Sequence, residues 1–293
     1  MPYDLCNLNE QSDQKELTQV QGKPFAIGPG FDALSFKHTM YAGAMDPLIM
    51  VDHFTMTAPT FGPHAHAGLS AVSILFEDSE GVFNNRDSLG NDIDLMPGDL
   101  YWLKAGRGAV HDEKPKQGAR THALQVFVNL PARMKHDAPE SQHVKATEMP
   151  VLVGQGYRAR LVLGESNGMK GAKSPALPMT IVDVNLEAGA LFEHQMPSGQ
   201  FAWLLGIDGA IGIRNGDATA SLKSGASVSI RAQHHAQDLT VSGNSKAHFV
   251  ILQAEPLREP FVQRGPFAMT TEKEVEAMFA AHAAGELGSL DDL

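Results

Sequence analysis

Cys6 is the only cysteine in the chain, so no intramolecular disulfide can cross-link it, and a free thiol beside a polar N-terminus is the expected state. Charge is scarce as well: 19% of residues are Asp, Glu, Lys or Arg, below the usual quarter. What charge there is leans one way, with 23 basic against 34 acidic residues, a net charge of −11 and no basic cluster. Such a surface repels phosphate backbones and anionic lipid, which argues against direct nucleic-acid or membrane-surface binding. No stretch approaches the roughly 20 apolar residues of a membrane helix. The opening MPYDLCNLNEQSDQKE has neither the basic start nor the apolar run of a secretory leader. Together these absences lead to the expectation of a soluble cytoplasmic protein.

Turn formers are plentiful, with 28 Gly and 17 Pro, and 43% of residues are hydrophobic. A chain of 293 residues is about right for two domains. Short apolar alternations punctuate it. Val72, Ile74 and Phe76 fall on one face of a strand, as do Leu124, Val126, Val128 and Leu130. Asn84, Asn85, Gly90 and Asn91 read as turns, and Pro97-Gly98-Asp99 as a tight turn into Leu100-Tyr101-Trp102-Leu103. The second half repeats this rhythm at Thr180–Val184, Phe201–Leu205, Ala210–Ile213, Ser227–Ile230 and His248–Leu252. The run 94–103 resembles 221–230, which suggests a duplicated barrel. The polar, proline-bounded segment 136–150 reads as the linker between residues 1–135 and 151–262. Residues 263–293 form a C-terminal segment in which Thr271 and Glu274 fit a capping box. Val275, Met278, Phe279 and His282 follow at helical spacing, and Gly285 ends the run.

The chemistry concentrates in two pairs. His64 and His66 stand at i and i+2, which on a strand places both imidazoles on one face. With 13 histidines, chance supplies about 0.6 such pairs, so this one alone is weak. The second pair, His111 and Glu113, repeats the spacing after the Pro-Gly-Asp turn and Gly106-Arg107-Gly108. Three imidazoles and a carboxylate suit a transition metal with coordination positions left open, as a catalytic site requires. Asp112 falls on the opposite face. His53 and His122 read as structural or supporting histidines, Trp102 and Phe127 as core, and Phe61 as a residue able to line the pocket. His234 and His235 are adjacent, so a strand would point them to opposite faces.

At this point the sequence resembles the pirin family. PHAHAGLS is similar to that family's PHPHRGFE, MPGDLYWLKAGRGAVHDE to its PGDLQWMTAGRGIxHxE, and HALQVFVNLP to its HGLQLWVNLP. The tail EPFVQRGPFAMTTEKEVEAMFAAHAAGELG is similar to the family's own tail. The resemblance runs from about Asp46 to Pro131 and resumes near Glu259. It implies an all-β fold of two cupin barrels, the double-stranded β-helix or jelly-roll type, with a C-terminal helix. It also implies one divalent metal per chain on His64, His66, His111 and Glu113, iron(II) first, with zinc, copper, nickel or manganese as alternatives. The second barrel is expected to have lost its ligands. The local repeat maps His64 and His66 near Leu191 and Glu193, and His111 near Asp238. Ala67 and Ser70 depart from the family's Arg and Glu beside the metal, implying a smaller, less charged wall.

The resemblance implies a quercetin 2,3-dioxygenase-like oxidoreductase. A small aromatic substrate, a flavonol or related phenolic, would give its hydroxyl proton to Glu113, the catalytic residue. O₂ would then add, and ring cleavage would release carbon monoxide. The alternative is a redox-sensing iron-binding regulatory protein that acts through a protein partner.

Overall fold

The computed structural model describes residues 17–231 and 233–290. The N-terminal thiol expected at Cys6 lies outside the described residues. The fold is all-β with one α-helix among the described residues, Glu272–Ala283, and two barrels built on one plan. In the first half a seven-stranded sheet runs Glu140–Val144, Leu100–Lys104, Leu69–Leu75, Thr121–Asn129, Leu48–Met56, Phe31–Lys37, Lys23–Ala26. A four-stranded sheet of His64–His66, Ala109–Pro115, Phe83–Asp87 and Asn91–Leu95 closes it. The second half repeats both sheets. Its seven strands run Gln19–Gln21, Ala226–Ile230, Phe201–Asp208, Ala247–Ala254, Met179–Leu186, Tyr157–Leu163, Val151–Gly154. Its four are Leu191–Met196, Gln237–Gly243, Ala210–Asn215 and Ala218–Lys223.

Alternation decides which face meets what. Val72, Ile74, Phe76, Leu124, Val126 and Val128, the stripes legible in the sequence, turn away from their own barrel. They pack against Val162, Ile181, Trp203, Leu205, Val250 and Leu252 of the second half in one shared core, where Trp102 is also buried. Phe36 meets Trp203 edge to face, ring centroids 5.4 Å apart. The second barrel's interior is a continuous apolar cluster. The first barrel's is apolar only in part, with Phe31, Phe54, Phe83, Leu95 and Leu103.

The halves also exchange edges. Gln19–Gln21 is the first described strand but pairs with Ala226–Ile230, Val20 opposite Ser227. The chain then crosses at Gly22 to enter the first half's sheet. A side chain there would meet the Phe36 ring at 2.6 Å and Leu34 at 2.8 Å. In return Glu140–Val144, inside the stretch read as a linker, pairs with Leu100–Lys104. Its polarity is that of an edge strand with one face in water. Asn84 and Asn85, read as turn residues, also lie within a strand, Phe83–Asp87. Asn84 is held there by bonds from its amide nitrogen to Asp92 and Asp94 at 2.7 and 3.1 Å, and cross-strand bonding outweighs asparagine's weak strand propensity.

The helix begins at Thr271 with the reciprocal Thr271–Glu274 box in place, buries Val275 and leaves Phe279 edge-on to Phe267. No helix among the described residues is long and apolar enough to cross a membrane.

Charge at the barrel interface is paired. Arg160, buried, reaches the Gly98 carbonyl at 2.6 Å and Asp183 at 2.7 Å. Burial pushes the Asp183 carboxyl up, but His248, 2.5 Å away, and Arg160 outweigh that and hold it at about 2. Beside them Phe76 sits among three imidazoles, His53, His122 and His248. His53 Nε2 lies 2.7 Å from His122 Nε2, and His122 Nδ1 lies 2.8 Å from Asp78. Both histidines therefore support the interface and not the metal. Burial, with repulsion from His122 and His248, pushes His53 down to about 3. A histidine kept neutral in the folded state binds its proton only on unfolding, so stability falls as pH drops below the unfolded value near 6.5. Urea titrations at pH 7.0 and 5.5 should show His53→Gln losing about 1.4 kcal/mol per pH unit less than wild type below pH 6.5. Equal losses in both would place His53's proton elsewhere.

Candidate metal centre

His64 and His66 lie on a three-residue strand paired antiparallel with Ala109–Pro115, His64 opposite His111 and His66 opposite Ala109. Cross-strand partners share a face, so all three imidazoles enter the first barrel. His111 Nε2 stands 3.1 Å from His64 Nε2 and 3.1 Å from His66 Nε2. A ring nitrogen carries one proton or one lone pair, so His111 Nε2 cannot satisfy both contacts as hydrogen bonds. One cation satisfies all three nitrogens together. With metal–nitrogen bonds of about 2.0–2.1 Å, a 3.1 Å separation subtends about 95–100°, which suits His111 beside each of the other two on an octahedron or a tetrahedron.

The protonation state also fits. Burial lowers all three imidazoles, His66 to about 3, and the neutral ring is the ligating form. His64 Nδ1 is 2.9 Å from the Gly62 carbonyl, and His66 Nδ1 is 3.4 Å from the Pro266 carbonyl. A carbonyl only accepts, so both rings carry their proton on Nδ1 and turn a bare Nε2 inward. Holding a ligand's second nitrogen in this way fixes ring and tautomer. His111 Nδ1 has no hydrogen-bond partner; Glu113 Oε2 lies 3.9 Å away.

Glu113 faces the same interior, 8% exposed, but its carboxylate does not join the three nitrogens, which lie within 4.8 Å of one another. Its Oε1 sits 2.5 Å from Ser73 Oγ, which is also 3.0 Å from Gln125 Oε1. Burial pushes the Glu113 carboxyl up to about 7, with the Ser73 bond opposing and Asp112 adding to the rise. Asp112 is turned away to Lys114, 2.7 Å off. Asp99 closes its turn by accepting from Met96 N at 3.0 Å and Ala146 N at 2.8 Å.

Aromatic rings line one side. Phe61 lies 6.2 Å from His64 and 5.1 Å from Phe31, and Phe31 stacks on Phe54 at 5.4 Å. Phe127, read as core, packs on the cluster of Ile49, Leu69, Ala71 and Ala268 and also stands edge-on to His66 at 5.0 Å. Ala67, read as part of the pocket wall, faces outward into a cluster with Phe267, Val275 and Leu287.

The tail reaches this centre. Ala268 N donates to the Ala67 carbonyl at 2.9 Å, next to the Pro266 contact. Gly68 makes the approach possible: it has φ +72, and a side chain there would meet the Ala268 carbonyl at 2.1 Å. Buried Lys135 donates to the carbonyls of Gly68 and Ala268 and to Asn129 Oδ1, at 2.8, 2.6 and 2.6 Å.

The second barrel keeps the ladder without the donors. His194 lies opposite Leu239 and Met196 opposite Gln237, as His64 lies opposite His111 and His66 opposite Ala109. His64 therefore corresponds to His194 and not to the neighbourhood of Leu191, because the loops of the two halves differ in length. His194 is spent on Ser166 at 3.0 Å and Gln253 at 2.6 Å. His234 and His235 occupy an exposed bend and no strand.

Ser73, Gln125 and Pro266 did not stand out as site residues in the sequence. Ser73 had a signal: it is the polar residue between Val72 and Ile74, on the opposite face of a strand whose apolar face was evident.

Comparison with known proteins agrees with this fold. The pirin family model matches residues 13–128, and the model for the pirin C-terminal cupin domain matches residues 181–288. Pirin from Mus musculus is 33% identical over 232 residues, 79% of each chain, and pirin from Homo sapiens is 33% identical over 240 residues, again 79% of each. Among solved structures, a quercetin 2,3-dioxygenase from Acinetobacter baumannii superposes with a TM-score of 0.83 at 24% identity, covering 95% of this chain and 100% of its own. A bacterial pirin from Escherichia coli in complex with nickel(II) gives 0.63 at 14% identity, covering 82% and 99%.

Metal analysis of tag-free protein by mass spectrometry should find about one ion per chain, lost in His111→Ala. Gly68→Ala keeps every candidate ligand but lifts the tail from His66. Its metal affinity, measured by chelator competition, should fall about 10–100-fold.

Proposed function

This chain belongs to the pirin family, and from that premise we propose that it is an iron(II)-dependent dioxygenase acting on a flavonol or related phenolic. The observation that carries the reading is the convergence of three neutral imidazoles on one point inside a barrel, between a phenylalanine wall and a buried carboxyl. The resemblance to quercetin 2,3-dioxygenase supports it at the level of the fold. His64, His66 and His111 would hold the ion, and Glu113 would complete the proposed ligand set through the oxygen that Ser73 does not bond. The ion supplies Lewis acidity toward a phenolic oxygen and a redox centre for O₂ chemistry.

The chain's own residues do the rest. Phe61, beside His64 and backed by Phe31 and Phe54, offers its ring to a flat aromatic substrate. Glu113, buried on the same face as His111, is placed to take the phenolic proton on its carboxylate. Ser73 Oγ stands 2.5 Å from the opposite oxygen, so the carboxyl keeps a hydrogen-bond partner in either protonation state. Water is limited by the burial of His66 and His111.

The regulatory reading uses the same centre. It is favoured by one contact, from His66 to Pro266, which joins the site to the surface segment ahead of the helix.

Protein loaded anaerobically with iron(II) should consume O₂ when flavonol is added. Glu113→Gln should retain most of the iron yet slow that uptake by about 10²-fold or more. Iron retained with neither flavonol binding nor flavonol-dependent uptake in the wild type would overturn the enzymatic reading and leave the regulatory one.

A further inference from the structure

Asn85 is buried completely, and neither its Nδ2 nor its Oδ1 has a hydrogen-bond partner. It stands in the strand Phe83–Asp87, directly across from Glu113. Because cross-strand partners share a face, its amide enters the barrel on the side that holds the metal centre. On its other flank lies Ile93, which offers nothing polar. A buried amide left unmatched at both ends is costly, and sites that keep one do so because a ligand or water completes it.

The second half shows that the fold does not demand this residue. The same cross-strand position there is Ile213 opposite Val241, with Ala220 on the far flank. Both Ile213 and Val241 are buried in that barrel's apolar cluster. One plan thus closes this position with hydrocarbon where no site exists, and opens it with a carboxyl and an amide where one does.

We propose that Asn85 determines specificity by reading a second oxygen of the substrate. With the phenolic hydroxyl delivered to Glu113, the adjacent carbonyl or hydroxyl oxygen accepts a hydrogen bond from Asn85 Nδ2. A second hydroxyl on the ring system can donate to Oδ1. This favours aromatic compounds with two neighbouring oxygens over those with one. The inference rests on the site being one for oxygen-bearing aromatics, as proposed above.

Binding to nickel(II)-loaded protein tests it without turnover. The probes are 3-hydroxyflavone, whose hydroxyl adjoins a carbonyl, and 2-naphthol, with one hydroxyl. Absorption titrations compare wild type with Asn85→Leu, a near-isosteric apolar replacement, with nickel content measured for both. The variant should bind 3-hydroxyflavone about tenfold more weakly, with 2-naphthol affinity and nickel content unchanged. Its ligand-free form should melt a few degrees higher than wild type, since an unmatched buried amide is gone. A purely structural asparagine would instead lower the melting temperature. Unchanged affinity for both probes would mean that the amide holds only water, and equal weakening of both would mean that it does not discriminate. Either result overturns the proposal. Wild-type protein that loads nickel but binds neither probe would overturn the functional reading beneath it, an outcome separable from the other two because it needs no variant.

Discussion

The candidate metal centre hangs on a three-residue strand with a single hydrogen-bonded neighbour. His64–His66 is an edge, paired with Ala109–Pro115 and nothing else in its sheet. So short a strand cannot hold two rings in place unaided. Its free side is covered by the tail, through the Ala67–Phe267 bridge and the three bonds of Lys135. The tail then supplies the Pro266 carbonyl that sets the proton of His66. Residues separated by some two hundred positions thus share one centre, and the helix behind Phe267 presses the assembly onto the barrel. Burial completes the preparation by keeping all three rings neutral.

The two halves follow the same ladder to opposite ends. Where the first barrel has His64, His66, His111, Glu113 and Asn85, the matching positions of the second are His194, Met196, Leu239, Val241 and Ile213. One histidine survives, absorbed into hydrogen bonds with Ser166 and Gln253. The shared core between the halves asks only that outward-facing positions stay apolar, which leaves the interiors free to diverge.

Much of this was legible because β-structure has a short period. Alternation exposed the paired faces of Leu69–Leu75 and Thr121–Asn129, and the i, i+2 spacing of His64, His66, His111 and Glu113 declared a common side. The capping box announced the helix, and the pirin resemblance named the fold. What stayed hidden depends on distance along the chain or on neighbours. Asparagine is a common turn former, and only its cross-strand partners reveal Asn85 as an interior residue. The constant offset of a local repeat cannot carry through loops of unequal length, which is why His194 was missed. Polarity alone cannot separate a linker from an edge strand, so Glu140–Val144 passed for one. Nothing near Pro266 signals that its carbonyl will meet His66.

The exchanged edges have a consequence for the order in which the protein is made. Gln19–Gln21 leaves the ribosome early but has its place against Ala226–Ile230, with Val20 accepting from Ser227 across 207 positions. Until that distant strand emerges, the first segment must wait without its partner. The first half, by contrast, has every strand of its two sheets once Glu140–Val144 has been synthesised. The first half's sheets can therefore form while the second half is still being built, but the edge at His64–His66 stays uncovered until residues 266–268 follow, and the second barrel is sealed by a strand that precedes the whole first barrel. A cut between the halves would also separate the second barrel from its own outermost strand.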